Sequence, residues 1–529
     1  MEENIEKKFT ETVQDKARKG KKGVVKLVFG RTAVILLLIM VQIAVLVMTS
    51  LFLFKYVLYA YAGYMIIAML IVMSIFNRPG TPEMRMPWVV LILAFPVFGG
   101  LLYLFVDLQP GTRILNKKVV EQTERMRSIT PPNEEVLEEI READIHMAGM
   151  AGYLRKAGFP PYRNNGLTYY PLGDDWFPAL IEEMKKARKF IFLEFFIIER
   201  GLMWDTILEI LKERAAAGVE ICVIYDDFGC IQRLSAGYPR ELAAYGIRAI
   251  PYNTLRPSMD PSLNYRDHRK LCVIDGKVGF CGGINLADEY INAVERFGHW
   301  KDTAVQLRGS AVCSLTRMFL QQWTLLAGPQ ALKRPEEEYL CSFPVPAQGF
   351  VQPYADTPLD SYNVAESAYL HLVQRSNRYV YITTPYLILD NEFVTSLKTA
   401  AESGVDVRII TPSHPDKWYV HMVSRSYYQT LIQSGVKIYE YQPGFIHAKM
   451  FLCDDQLAVV GTANLDYRSL YLHFENAVLL YHCPVIADIR QDFADTLEKS
   501  RLITLEELRS KLRGTKVLCA LLKLLAPLM

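Results

Sequence analysis

The sequence predicts an α/β protein: two domains of one kind, each a mixed β-sheet flanked by helices, related by a pseudo-twofold axis and preceded by an N-terminal helical membrane region. Three observations predict it. Apolar runs near the N-terminus are long enough to cross a bilayer. The rest of the chain repeats one strand–helix–strand pattern. Each copy of that pattern is followed by the same polar motif.

Residues 1–32 form a basic arm, with nine Lys and Arg against five acids. Residues 33–54, "AVILLLIMVQIAVLVMTSLFLF", carry no charge. A helix of roughly 20 residues crosses the hydrocarbon core. Residues 57–76, "VLYAYAGYMIIAMLIVMSIF", form a second such run, so the two predict a transmembrane hairpin. The first run is too long for a signal peptide, and no small-residue cleavage site follows it. A third run, 88–106, is broken by Pro96, Gly99 and Gly100. It either crosses or dips in and returns, in which case protein or water must cover the freed backbone groups. Basic residues ahead of the first span place the N-terminus in the cytoplasm. A returning third run keeps the catalytic part there too. The nine scattered cysteines, without a C-x-x-C pair or zinc spacing, suit that reducing compartment. Residues 107–165 read as a charged helical connector whose acidic run is a solvated face.

The first domain, 166–345, contains "KFIFLEFFIIERG" and then "TILEILKERAAAGVEICVIYDDFG"; the second, 346–510, contains "RYVYITTPYLILD" and then "FVTSLKTAAESGVDVRIITPSHPD". Each is a buried strand, a helix with apolar spacing near 3.6, a Gly-Val and a second strand. A further helix and strand follow in both, "LAAYGIRAIPYN" and "LIQSGVKIYEYQ". Such alternation argues for α/β sheets. Residues 511–529 read as an amphipathic C-terminal helix at a membrane interface.

The polar motif is "DHRKLCVIDGKVGFCGGINLADEY" in the first copy and "IHAKMFLCDDQLAVVGTANLDYRS" in the second. His268 matches His447, 179 residues on, and the same offset joins Lys270 to Lys449, Asp275 to Asp454, Gly282 to Gly461 and Asn285 to Asn464. Farther on, "KDTAVQL" against "FENAVLL" aligns Asp302 with Glu475. His268, Lys270, Asp275, His447, Lys449 and Asp454 are therefore the candidate catalytic set. His299, His414, His421, His473 and His482 have no partner in the repeat and are read as ordinary surface or core residues.

A His and a Lys two apart on a strand share a face. Two facing copies would bring together two imidazoles, two ammonium groups and two amides, a set suited to a phosphodiester. Lys270, Lys449, Asn285 and Asn464 would bind the non-bridging oxygens. One imidazole would attack phosphorus while the other donates a proton to the leaving oxygen. Asp302 and Glu475 would orient the imidazoles by accepting a ring N–H, with Glu475 expected to serve His447 of its own repeat. Asp275 and Asp454, at an odd offset, are read as braces. Gly282, Gly283 and Gly461 would allow close backbone approach. No metal or cofactor is required. A net charge of +2 supplies no general field for nucleic acid.

The doubled H-x-K-x-x-x-x-D pattern with its Gly and Asn resembles the phospholipase D superfamily. "NYRDHRKLCVIDG", "GGINLADEY", "HWKDTAVQLRGSAV", "GTANLDYRSLYLHFEN" and the membrane-proximal "NRPGTPEMRMPWVVLILAFPVFGGLLYLF" resemble bacterial cardiolipin synthases over residues 70–529. The resemblance implies two phospholipase D-like domains and transfer of a phosphatidyl group between two phosphatidylglycerol molecules in an anionic bilayer, giving cardiolipin and glycerol. It implies a phosphatidyl-histidine intermediate without metal, with His268 as nucleophile and His447 as acid and base. A hydrolysing phospholipase D, a transferase using another alcohol, and an inactive lipid-binding scaffold are the alternatives. The membrane runs disfavour a nuclease. Asp267 stands where the family often has Asn, and Asp455 where it often has Gly.

Overall fold

A computed structural model describes residues 31–52, 57–78, 80–107, 110–131, 133–163, 165–255, 261–340, 343–360, 362–512 and 516–528. The expected basic arm lies outside these except for Arg31 and Thr32. The chain forms two compact units, one reaching to Leu115 and including residues 255–263, the other made of Asn116–Thr254 and Asn264 onward.

In the first unit the apolar runs are helices, Arg31–Phe52 and Val57–Phe76. Within the second, Leu58–Phe76 is long and apolar enough to cross a membrane. Residues 88–106 do not form one helix. They divide between Pro82–Ala94 and Pro96–Asp107, of 13 and 12 residues. At about 1.5 Å per residue neither reaches the roughly 30 Å of a hydrocarbon core. The chain folds back at Phe95: a Cβ on Gly99 would lie 2.7 Å from the Leu91 carbonyl oxygen. In a continuous helix, residues eight apart are about 12 Å apart along the axis. Residues 88–106 thus form a helical hairpin in place of one continuous helix. Its freed backbone is partly covered, since the Phe98 amide donates to Gln42 Oε1 at 2.8 Å. That bond gives a physical reason for the one strongly polar side chain within the first apolar run.

The second unit carries the repeat. The first domain has strands β1 (Gly166–Tyr170), β2 (Phe190–Phe195), β3 (Glu220–Asp226), β4 (Arg248–Tyr252), β5 (Lys270–Ile274), β6 (Val278–Gly282) and β7 (Ala304–Arg308). They lie in the order β1-β7-β6-β5-β2-β3-β4. The second domain has β8 (Phe350–Asp356), β9 (Tyr379–Thr383), β10 (Asp406–Pro412), β11 (Lys437–Tyr441), β12 (Met450–Cys453), β13 (Leu457–Gly461), β14 (His473–Tyr481) and β15 (Ser500–Leu502). Their order is β8-β14-β13-β12-β9-β10-β11-β15. Adding seven to each strand of the first sheet gives the second, with β15 as an extra edge. The pairs β2–β3, β3–β4, β9–β10 and β10–β11 are parallel, and the other neighbours within the two sheets are antiparallel. Helix Leu202–Ala216, between β2 and β3, buries Met203, Trp204, Ile207, Leu208 and Leu211 on one face. Its counterpart Asn391–Glu402 starts under Asp390, whose side chain accepts the Phe393 amide at 2.8 Å.

Two segments outside the sheets pack on the protein. The connector is helical, as its sequence suggests, and does more than present a solvated acidic face. Helices Glu134–Ala143 and Ile145–Lys156 bury Leu137, Ile140, Met147, Ala151 and Leu154, strand Tyr162–Arg163 pairs with β8, and Gln352 donates to the Ala151 and Phe159 carbonyls. The C-terminal helix Lys516–Leu524 packs on the protein along one side. Cys519 is buried and Lys523 lies 4.0 Å from the Tyr427 ring, while Val517, Leu518 and Leu521 remain exposed.

Candidate active site

The two repeats meet through two short parallel ribbons. Arg266 and Asp267 pair with His473 and Phe474, and Gly444–Ile446 pairs with His299–Lys301. One residue past each ribbon lies a histidine, whose amide donates across the boundary: His268 to the Phe474 carbonyl at 2.9 Å, His447 to the Lys301 carbonyl at 2.7 Å. The register that starts in the ribbons therefore sets His268 against Glu475 and His447 against Asp302. Neither histidine is within a regular strand. Each precedes one, and Lys270 opens β5.

The carboxylates consequently cross over. His268 Nδ1 lies 2.9 Å from both oxygens of Glu475. His447 Nδ1 lies 2.6 Å from Asp302 Oδ2. The expectation that Glu475 serves His447 is overturned: each imidazole is held by the other repeat. All four groups are buried.

The lysines turn back onto their own histidine segments. Lys270 Nζ donates to the His268 carbonyl at 2.6 Å; Lys449 Nζ donates to the His447 carbonyl and lies 2.8 Å from His447 Nδ1. Burial pushes Lys270 down to about 7, with Glu475 opposing and Lys449 adding to the fall. It pushes Lys449 down to about 8 against the pull of Asp302 and Glu475. Burial also drives both imidazoles well below their ordinary range. Glu475 opposes this at His268, and Lys449 and Lys270 reinforce it at His447.

The carboxylates differ. Burial raises Asp302 to about 6, although Lys449 and the Thr303 amide resist. Burial acts on Glu475 as well, but His268 and His473 outweigh it and hold Glu475 well below the carboxylate range. Thr462 also donates its hydroxyl to Glu475 Oε2. The residue matching Thr462 is Gly283, where a Cβ would come within 2.1 Å of Asp302 Oδ1. The short carboxylate thus sits against bare backbone, and the long one is gripped by a hydroxyl.

Asp275 and Asp454 occupy the turns after β5 and β12. Asp275 accepts the amides of Arg188, Lys189 and Phe190 at 2.7–2.9 Å. Asp454 accepts those of Asn377, Arg378 and Tyr379 over the same range. Both have φ of 54°. Asp455 also has positive φ, 62°, which suits the glycine often found there. Asn285 and Asn464 are buried beside the site, but their amides are engaged. Asn285 Nδ2 donates to Tyr290 at 2.7 Å and its Oδ1 accepts the Ile197 amide; Asn464 Nδ2 donates to Ser469 at 3.0 Å.

Three neighbours were not legible as site residues: Thr462, His473 and Trp300. Trp300 lies 5.5 Å from the His447 ring and His473 lies 5.4 Å from the His268 ring. The alignment of Asp302 with Glu475 makes Trp300 and His473 equivalents.

Comparison with known proteins identifies the family. The family described as "Cardiolipin synthase, PLD-like domain" matches residues 180–297 and 369–497, and "Phospholipase_D-nuclease N-terminal" matches 65–106. A cardiolipin synthase of Geobacillus sp. is 34% identical over 463 residues, covering 87% of this chain and 91% of the relative. Cardiolipin synthase 2 of Bacillus anthracis is 35% identical over 471 residues, covering 87% and 90%. An uncharacterized protein of Streptococcus mutans is 44% identical over 448 residues, covering 84% and 96%. Among solved structures, the phosphatidylserine synthase of Haemophilus influenzae shares the fold, with TM-score 0.53 and 15% identity over 69% of this chain and 95% of that one. The chain therefore belongs to the cardiolipin synthase family of the phospholipase D superfamily.

Proposed function

We propose that the protein is a phosphatidyltransferase that moves a phosphatidyl group from one phosphatidylglycerol to another, producing cardiolipin and glycerol. The observation that carries the reading is the crossed pair of imidazole–carboxylate contacts, with two buried lysines, in a chain of this family.

The two halves suit different tasks. An ionised Glu475 fixes the proton of His268 on Nδ1 and leaves Nε2 with its lone pair free, so His268 is the nucleophile. At His447, Asp302, ionised above about 6, accepts the Nδ1–H and supports an imidazolium. The anionic substrate favours that cation, whose Nε2–H makes His447 the acid. His268 Nε2 attacks phosphorus, the bond to glycerol oxygen breaks, and His447 Nε2–H protonates the departing glycerol. The hydroxyl of a second phosphatidylglycerol then gives its proton to His447 and displaces His268, releasing cardiolipin. Lys270 and Lys449 regain full charge against the anionic phosphate and stabilise the non-bridging oxygens in each transition state. Asn285 and Asn464 join them as phosphate donors if their Tyr290 and Ser469 bonds open.

The lipid tails stay in a bilayer, so the reaction runs at a membrane surface. Helix Val57–Phe76 and the hairpin at Phe95 support a membrane-embedded N-terminal region, with the catalytic part on the cytoplasmic face. Incubation of the purified chain with phosphatidylglycerol alone tests the function. Cardiolipin and glycerol in equal amounts support the transferase. Phosphatidic acid as the sole lipid product would replace it with a hydrolase, and no turnover, with His268→Ala and the parent alike, would leave a scaffold.

A further inference from the structure

His473 breaks the symmetry of the site. Its Nδ1 is buried, makes no hydrogen bond, and points at Glu475 Oε1 from 3.6 Å. Trp300, in the equivalent place, offers no comparable donor, because an indole has no lone pair for a metal. Beside His268, however, two imidazole nitrogens and one carboxylate oxygen all lie within 4.8 Å of one another. The His268–Glu475 separation is 2.9 Å and the His473–Glu475 separation 3.6 Å. Ligands of a tetrahedral zinc ion, bound at about 2.0–2.1 Å, stand roughly 3.3–3.5 Å apart. Small side-chain rotations bring the three atoms to that spacing.

We propose that His268, His473 and Glu475 form a binding site for a zinc-class divalent ion, and that occupancy of this site switches the enzyme off. Two histidines and one carboxylate are a common donor set for such ions and leave a fourth position for water. The ion binds the Nδ1 lone pair of the neutral imidazole, so the proton of His268 moves from Nδ1 to Nε2, and Glu475 becomes a ligand in place of a hydrogen-bond acceptor. The lone pair that would attack phosphorus is thereby occupied by that proton. The Thr462 hydroxyl, on the other oxygen of Glu475, orients the carboxylate toward the ion. The His447 half has Trp300 in place of a third donor, so among the described residues the site takes one ion.

The test uses the full chain in detergent or nanodiscs with zinc itself as the probe. A chromophoric chelator competing for zinc gives stoichiometry and affinity without reference to turnover, so the result stands apart from the identity of the lipid product. The parent is expected to bind one zinc per chain. His473→Asn is expected to weaken that binding by at least about tenfold. Zinc inhibition of each protein, measured against its own metal-free rate, is expected to shift by the same factor. His473→Gln serves as a second variant, and melting without zinc confirms that the variants fold. Equal zinc affinity in the parent and folded His473 variants, or a folded parent that binds no zinc, overturns the proposal.

Discussion

Around His268 the carboxylate is the longer Glu475, gripped by Thr462, flanked by His473 and held ionised. Around His447 it is the shorter Asp302, set against Gly283, with Lys449 sharing the same imidazole nitrogen and with a carboxyl group raised to about 6. The two halves share one sequence pattern and one strand order. The difference teaches that duplication supplies two imidazoles, whereas their protonation states are decided by neighbours that the copies do not share.

The comparison breaks most sharply at the histidines. His268→Ala is expected to abolish transfer and to form no covalent species. His447→Ala is expected to lower turnover by roughly 10²–10⁴-fold, the usual worth of a general acid and base. It should still form the intermediate from a phosphodiester with an activated leaving group such as p-nitrophenol, seen as a burst of nitrophenolate. A burst from His268→Ala in place of His447→Ala would reverse the roles.

The carboxylates give the next effect. Glu475→Gln is expected to reduce kcat of the order of 10²-fold, because the Nε2 lone pair is no longer secured. Asp302→Asn should cost less, because the Asp302 carboxylate, raised to about 6, holds its charge less firmly than Glu475 does. Steady-state kinetics of the two variants measure the ratio, and equal losses would remove the distinction between the halves.

The pH profile sharpens it further. Asp302 loses its proton through about 6, and Lys270 and Lys449 lose theirs through about 7 and 8. The profile of kcat/KM, which follows the free enzyme, is therefore expected to be a narrow bell between these limits, with apparent values belonging to the coupled site. An anionic substrate favours charged lysines, so the alkaline limb of kcat should lie at higher pH than that of kcat/KM. A flat profile from pH 5 to 9 would contradict this.

The smallest asymmetry is expected where the halves are alike. Asp275→Ala and Asp454→Ala each strip three amides of a charged acceptor, and bonds of this kind are worth about 1.5–3 kcal/mol. Thermal melting should show similar destabilisation for both, with little change in the identity of the labelled histidine.

Much of this was legible in the sequence. The repeat offset located every member of both motifs, and strand–helix alternation gave two matching mixed sheets. What the offset could not show was pairing across the boundary. Asp302 and Glu475 were found as equivalents, but equivalence says which residues occupy the same place, not which imidazole each one reaches. That depends on the register of two parallel ribbons formed by residues far apart in the chain. Thr462, His473 and Trp300 escaped for the opposite reason: a search for what two copies share passes over what they do not. The break at residues 88–106 was visible as Pro96 and two glycines, but its outcome rested on Gly99 packing against Leu91 and on Gln42 covering the Phe98 amide.

The central claim is that the crossed carboxylates make His268 the nucleophile and His447 the acid. It is tested most directly by acid-quenching the enzyme during turnover of phosphatidylglycerol and locating the phosphatidyl group by peptide mass spectrometry under conditions that preserve phosphohistidine. The label is expected on the peptide containing His268 and absent in His268→Ala; a label on the peptide containing His447 would contradict the assignment.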